Sequence, residues 1–450
     1  MTAVFVPADA DFQPFTRRGE LAVSPERSPT YWQDARRRFV QNRRAFTSLC
    51  IALALLLFTL LGPTLWRVDP ASQDLAEISV GPTLGQRALI VDEPRAPAVP
   101  AAPTAFESMG TPTTEGVTLA WRRVPEATAY ELFRHQYPPE GVRDLGLPLA
   151  RLEPTQQVYA DRLRLESRRY YYTLVIEKGD QPIAYQRIEL SPAKAITRLG
   201  ATRLGLVRAD QRLGAFLRLP AHPFGTDALG RDILARTMQG GRTSLFIGIV
   251  APLLFLLIGV AYGGVAGFLG GRLDREMMRF ADFVMALPFV LFMILFKIML
   301  GLAPGESGVI PMLIALVVLS WPASARLVRG QVLQSRSLAF VDAARLMGAS
   351  PTYLITRHLL PNLLSVLLVS LTFSIPAAIF TEAFLSFIGM GVVPPTPSWG
   401  SLCNEGLHNV LSHPHELIFP ALFISATVLA FNLLGDGLRD SLDVRLRVTR

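Results

Sequence analysis

The sequence predicts an α-helical polytopic membrane protein of six transmembrane helices, with an all-β sandwich domain inserted on the outer side. Three observations predict it. Half of the 450 residues are hydrophobic and 18% are charged, whereas ordinary globular chains carry nearer a quarter charged residues. Six apolar stretches reach the roughly 20 residues that a helix needs to cross hydrocarbon. The 44 basic residues, only three of them lysine, alternate along the chain with those stretches. This composition excludes a disordered, collagen-like or disulfide-stapled chain, and Cys50 and Cys403 are too far apart to suggest a disulfide framework.

Residues 1–45 read as a cytoplasmic segment with an amphipathic helix, followed by a first span over 46–66. Arg36, Arg37, Arg38, Arg43 and Arg44 stand just before that span, which begins too deep for a cleaved signal peptide and reads as a permanent anchor. Further spans are expected near 243–268, 281–300, 307–328, 362–388 and 416–435. Eight arginines precede the first span, three lie in 269–280, five in 325–358 and four in 439–450. The stretches 301–306 and 389–415 contain no Lys or Arg. Twenty against zero places both termini of this multi-pass chain in the cytoplasm. The same alternation excludes nucleic-acid binding, which needs one basic stripe. Pro252, Pro288, Pro311, Pro322, Pro376 and Pro420 should kink the spans, and Gly263, Gly264 and Gly267 should let helices approach closely.

Residues 67–221 form the extracytoplasmic insert. A Pro/Ala-rich piece from Glu93 to Pro103 reads as an extended spacer. Beyond it, alternating runs at 116–121, 129–133, 170–175 and 183–190 read as strands. Val117-Thr-Leu-Ala-Trp121, Val124 to Tyr130 and the Tyr170-x-Tyr172 strand resemble a fibronectin type III domain over about 105–192. Trp121, Tyr130 and Tyr172 are its expected core, and such a module suggests protein contact.

A core over 222–440 carries the most specific patterns, ahead of a tail at 441–450. Its cytoplasmic loop 326–361 contains Asp342-Ala343-Ala344-Arg345-Leu346-Met347-Gly348, with Leu360-Pro361 further on. Ala343 and Ala344 favour helix and leave a smooth face, Gly348 permits a sharp turn, and Pro361 is suited to starting the next span. The segment resembles the coupling motif of the membrane subunits of ABC importers. It departs from that motif at Asp342, where Glu is usual, and at His358, where an aliphatic residue is usual. The run from His222 to Asp232, with Phe224, Gly225, Asp227, Gly230, Arg231 and Asp232, resembles the signature of the C-type permease subunit of oligopeptide and dipeptide (nickel) importers. Asp227 is placed as an N-cap for a helix over 228–239, with Asp232 and Arg236 one turn apart. Gly270 to Asp274, Ala286 to Pro288, Glu382 to Gly391, Pro394 to Gly400 and Asn432 to Asp440 continue the resemblance.

The resemblance implies the type I ABC importer permease fold and a heterodimer with a B-type permease. It further implies two cytoplasmic ATPase subunits that bind ATP and Mg, and an extracytoplasmic solute-binding protein. No cofactor is expected on this chain, which would import di- or oligopeptides; nickel chelates, opines and peptide-like antibiotics are cargoes of the same permease type. The sequence holds no P-loop, no Gly-x-Ser-x-Gly elbow and no His-Glu-x-x-His, so it reads as a transport subunit and not an enzyme. Glu382 inside the fifth span is a candidate for lining the pathway or for a hydrogen bond between helices. Cys403, Glu405, His408, His413 and His415 are weak candidates for a metal site, since their spacing matches no defined one. Two other classes compete: a membrane-anchored scaffold or adhesion protein, for which a coupling motif has no use, and an ion-coupled secondary transporter, which leaves 341–361 unexplained.

Overall fold

The computed structural model describes residues 31–442 apart from 76, 94–104, 142–143, 164, 180, 207–212, 300–306 and 393. Most of the Pro/Ala-rich spacer, the stretch 301–306, the first thirty residues and the tail beyond 442 lie outside the described residues.

Chain order sets up the membrane bundle. A short helix α1 (Tyr31–Gln41) leads into α2 (Arg43–Leu65), whose N-cap Asn42 accepts from the backbone N–H of Arg44 and Ala45. The insert follows, and then α4 (Ile233–Leu269), α5 (Gly271–Met285), α6 (Phe289–Met299), α7 (Val309–Ser335) and α8 (Ala339–Leu346). A single turn α9 (Pro351–Tyr353) and a π-helical turn over Leu354–Leu359 run without interruption into α10 (Leu360–Phe387), and α11 (Trp399–Leu407) and α12 (His415–Leu442) close the chain.

Five continuous helices among the described residues are long and apolar enough to span: α2, α4, α7, Pro351–Phe387 and α12. The expected third span, 281–300, is broken. α5 and α6 meet at 82° across Ala286-Leu287-Pro288, so the count is six only if this bent pair is one span. Its first half is amphipathic, and Asp274 on its buried face makes a two-pronged pair with Arg329 of α7 at 2.5 and 2.7 Å. Tyr262 of α4 and Phe280 of α5 lie against Trp321 of α7, and Tyr262 Oη donates to the Met277 carbonyl of α5 at 2.8 Å.

Close helix contact is built on small residues, as expected. Gly259, Gly263 and Gly267 of α4 recur every four residues and face α7; a methyl on Gly263 would collide with the Ala325 carbonyl. Pro63 inside α2 leaves the Thr59 carbonyl without its helical donor, and Arg242 Nε of α4 supplies the bond at 2.8 Å.

The insert holds two β structures. Strands β2 (Glu107–Thr113), β3 (Gly116–Ala120) and β6 (Val158–Asp161) form one antiparallel sheet in the order β2-β3-β6. Strands β4 (Ala129–His135), β5 (Ala150–Leu152), β7 (Tyr170–Lys178) and β8 (Gln181–Leu190) form the other, in the order β5-β4-β7-β8. Trp121, Tyr130, Tyr172, Leu119 and Leu174 are buried in a common core between the sheets. Tyr172 Oη donates to Asp161 Oδ2 at 2.7 Å, and Arg134 holds the same oxygen at 2.8 Å. A third sheet, apart from the sandwich, was not expected from the sequence. In it β1 (Arg87–Val91) pairs antiparallel with β10 (Phe216–Arg218) and parallel with β9 (Ala195–Thr197), with the short helix α3 (Arg198–Arg203) following β9. The sandwich is inserted between the partners β1 and β9, so their parallel pairing joins residues about a hundred positions apart.

Candidate functional site

The signature run 222–232 forms a junction at the end of the bundle where α4 begins. Glycines make its close approaches. Gly230 has φ +72° and lies so near the Asp74 carbonyl that a Cβ would overlap it, and Gly225 (φ +80°) sits against the Val80 carbonyl and His415. Around them the backbones of 79–83 and 222–227 exchange hydrogen bonds, among them Thr226 N to Val80 O at 2.9 Å and Thr83 N to His222 O at 2.8 Å. Phe224 stacks on Phe419 of α12 with centroids 4.1 Å apart. The run therefore ties the segment after α2 to the starts of α4 and α12.

Two charged clusters fill this junction. In the first, His222 bridges two carboxylates, with Nδ1 2.7 Å from Asp232 Oδ2 and Nε2 2.9 Å from Glu77 Oε2. Burial alone would push the imidazole down; the hydrogen bonds to Asp232 and Glu77, and their charges, outweigh it and lift its pKa to about 9. In the second, Arg236 is 3% exposed and meets Asp227 at 2.5 Å and Glu405 of α11 at 2.6 Å, while Arg231 pairs with the same two acids.

The structure corrects two expectations here. Asp232, not Asp227, caps α4, accepting from Ala235 N at 2.7 Å. Asp227 closes a turn through Leu229 N and Arg231 N instead. Arg236 pairs with Asp227 and Glu405 and not with Asp232, because Asp232 is engaged by His222, Trp66 and the α4 N-terminus. Glu405, which sequence reasoning placed only among metal candidates, is the acid that completes the cluster; no local signal links positions 236 and 405.

The 342–361 segment lies at the other end of the bundle. Val341 and Ala344 of α8 are buried, whereas Asp342, Ala343 and Arg345 face outward, and Leu346 and Met347 are 89% and 82% exposed. Arg345 sits over the Phe268 ring at 5.6 Å and reaches Asp342 at 3.6 Å. Gly348 adopts φ +86°, which ends the helix in the left-handed region. His358 packs between Phe340 and Tyr353, with centroids 6.3 and 5.5 Å away, so an aromatic joint stands where the family's usual residue is aliphatic. Pro361 stands in the first turn of α10, as expected, but the helical stretch continues back to Pro351 through the π-helical turn. The proline cannot donate to the Arg357 carbonyl, and the backbone passes through the wider turn at Leu354–Leu359 just before it.

Glu382 is fully buried where α10, α4 and α11 meet. Ser386 Oγ donates to its Oε1 at 2.8 Å, and Ser244 and Ser398 flank the carboxyl. Next to it Trp399, at the head of α11, donates from Nε1 to Thr237 O at 2.9 Å and from its backbone N–H to Ser244 Oγ at 3.1 Å. Among the described residues no three His, Cys, Asp or Glu side chains are arranged to hold a metal. Cys403 is buried in α11, and His415 Nε2 lies 3.2 Å from the Thr226 carbonyl. Between α7 and α10 lies a cavity of about 350 Å³ that Thr381, the neighbour of Glu382, helps to line.

Comparison with known proteins gives two family matches. The family described as "Binding-protein-dependent transport system inner membrane component" covers residues 259–448, and "N-terminal TM domain of oligopeptide transport permease C" covers 30–82. The dipeptide transport system permease protein of Bacillus subtilis is 49% identical over 227 residues, which is 50% of this chain and 69% of that protein. An oligopeptide transport system permease protein of the same organism is 47% identical over 226 residues, 50% of this chain and 72% of that one. A glutathione transport system permease protein of Pectobacterium atrosepticum is 43% identical over 227 residues, 50% of this chain and 74% of that one. The β-sandwich lies between the two family matches and outside both.

Proposed function

Given that the chain belongs to the inner membrane components of binding-protein-dependent transport systems, in the oligopeptide permease C group, we propose that it forms half of the path by which an ATP-driven importer takes up di- and oligopeptides. It is a multi-pass ABC importer permease with the type I fold, a transport subunit and not an enzyme. The observation that carries the mechanistic reading is α8: an Asp-Ala-Ala helix held on one side by Val341 and Ala344 and presenting bare Leu346 and Met347 on the other. An exposed apolar tip on a short rigid helix suits a groove on a partner protein.

Two cytoplasmic ATPases, each binding ATP and Mg, occupy that role, one of them on this chain. A B-type permease completes the heterodimer, and a solute-binding protein delivers peptide from outside. Both termini lie in the cytoplasm. ATP-driven closure of the ATPases moves α8, and the contacts of Arg345 with Phe268 and of His358 with Phe340 and Tyr353 carry that movement to α4 and α10. The bundle then changes the side to which it is open, provided that nucleotide and peptide bind the two states with different affinity. Asp342, Ala343, Ala344, Arg345, Gly348, His358 and Pro361 form the coupling unit. The 222–232 run and Glu382 act as clasps that keep the outer junction rigid while the inner end moves. The fibronectin type III-like sandwich makes a protein contact outside the membrane.

The test is replacement of Leu346 and Met347 by Asp in the full importer. The expected result is loss of the ATPases on purification, with the B-type permease retained, and uptake reduced at least about tenfold. Retention of the ATPases with normal uptake would refute the assignment.

A further inference from the structure

α4 packs closely along α7 through Gly259 and Gly263, and along α10 through Gly248 against Ile379. α7 and α10 touch each other only briefly, and the gap between them is the cavity of about 350 Å³. That volume is at the lower end of the roughly 300–1,000 Å³ typical of small-molecule sites. None of its lining residues is charged, and five carry hydroxyls: Ser320 and Ser324 from α7, and Ser370, Ser374 and Thr381 from α10.

Spacing and hydrogen bonding separate these hydroxyls from ordinary helix packing. Ser320 and Ser324 are one turn apart, as are Ser370 and Ser374, so each pair stands in a row along its helix. Ser374 and Thr381 donate to the carbonyls of Ser370 and Ala377 at 2.8 Å, which leaves their lone pairs free to accept. The hydroxyls of Ser320, Ser324 and Ser370 have no partner among the described residues. Ser324 is only 5% exposed, but its Oγ is not enclosed and opens onto the cavity, where it can meet a group that enters.

We propose that this cavity is the wall that the chain contributes to the transport path, and that it holds the main chain of an extended peptide without reading its side chains. The inference rests on the reading of the chain as a peptide permease. Every residue of an extended peptide presents one N–H and one C=O, and a hydroxyl can serve either. Hydroxyls one helical turn apart repeat at about 6 Å, close to the roughly 6.6 Å after which an extended chain presents equivalent groups on the same side. With no charge in the wall, acidic, basic and apolar peptides meet the same surface.

The experiment uses the complete importer in its membrane, with Cys50→Ser as background and Ser374→Cys or Ser324→Cys introduced. Labelling by a charged thiol reagent is compared with labelling by an apolar maleimide, with and without a saturating tripeptide. The expected result is labelling by the charged reagent that tripeptide slows at least about fivefold. Ser324→Ala combined with Ser370→Ala should raise KM about tenfold for acidic, basic and neutral tripeptides alike, with kcat little changed, and the corresponding Thr pair should restore it. Labelling by the apolar reagent alone would show that lipid or another helix covers the face, and would overturn the proposal. So would labelling that tripeptide does not slow, or a KM change confined to one charge class of peptide. Absence of peptide uptake in the parent importer would sink the cargo reading itself, an outcome distinct from the others because it precedes any substitution.

Discussion

His222 couples the segment after α2 to the head of α4 through Glu77 and Asp232, and replacing it with Gln removes the charge that holds both carboxylates. The imidazole pKa stands at about 9 in the folded chain against 6.5 for an ordinary histidine. At about 1.36 kcal/mol per tenfold change this difference is worth about 3 kcal/mol, and allowing for water at the open edge of the ring leaves about 2 kcal/mol. The folded value is raised, so this stability is fully present below the unfolded value of about 6.5 and is lost as pH rises through about 9. The groups facing the ring are Glu77 from the 74–83 segment and Asp232 from the α4 cap, with the Trp66 indole N–H on Asp232 at 3.3 Å. Thermal unfolding of the purified protein in detergent should give His222→Gln a midpoint about 2–4 °C below wild type at pH 7. The gap should close by pH 10, where the wild-type ring is neutral. A constant gap from pH 7 to pH 10, or no gap at pH 7, would refute the reasoning.

Three further outcomes are expected. Gly263→Ala should destabilise the protein by about 1–3 kcal/mol through overpacking against the Ala325 carbonyl, while Gly264→Ala, whose new methyl would meet Ile355 at an ordinary 3.7 Å, should be near neutral; urea or thermal titration of the pair decides. Glu405→Ala leaves Arg236 with Asp227 alone and should cost about 2–4 kcal/mol, part of which a second change, Arg236→Met, should restore; equal loss in the single and double variants would count against a coupled cluster. Trp121→Ala empties the sandwich core and should cost that unit about 3–5 kcal/mol, seen as new proteolytic cleavage within 107–190 while the membrane helices stay protected.

Much of the architecture was legible in the chain because hydropathy and charge act locally. A run of 20 apolar residues partitions into hydrocarbon whatever its neighbours do, so five of the six spans stand near their expected places, with ends displaced by up to about ten residues. The third fails because a hydropathy window does not register a break at Pro288 or the amphipathic face of α5. In the insert, period-two alternation announced β3, β4, β7 and β8, whereas β2 was hidden by Gly110 and Pro112, and the pairing of β1 with β9 spans the whole sandwich. At the junction, Asp227 and Asp232 are both suitable N-caps, and only the position of His222 and Glu405 in space assigns them different partners.

The sequence by itself determined that this is a membrane-spanning permease with an inserted β module, that its basic residues alternate with its spans, and that a helix over 339–346 ends at a glycine. These follow from partition, charge and backbone preference, which each residue carries with it. The tertiary structure decided which acid meets which arginine, that Glu382 is enclosed, and that the hydroxyls of two separate helices face one cavity. Those facts depend on residues distant in sequence, such as Arg236 and Glu405, being brought together in space. Close approach at Gly240 and Gly241 brings α4 against α11, and at Gly248, Gly259 and Gly263 against α10 and α7.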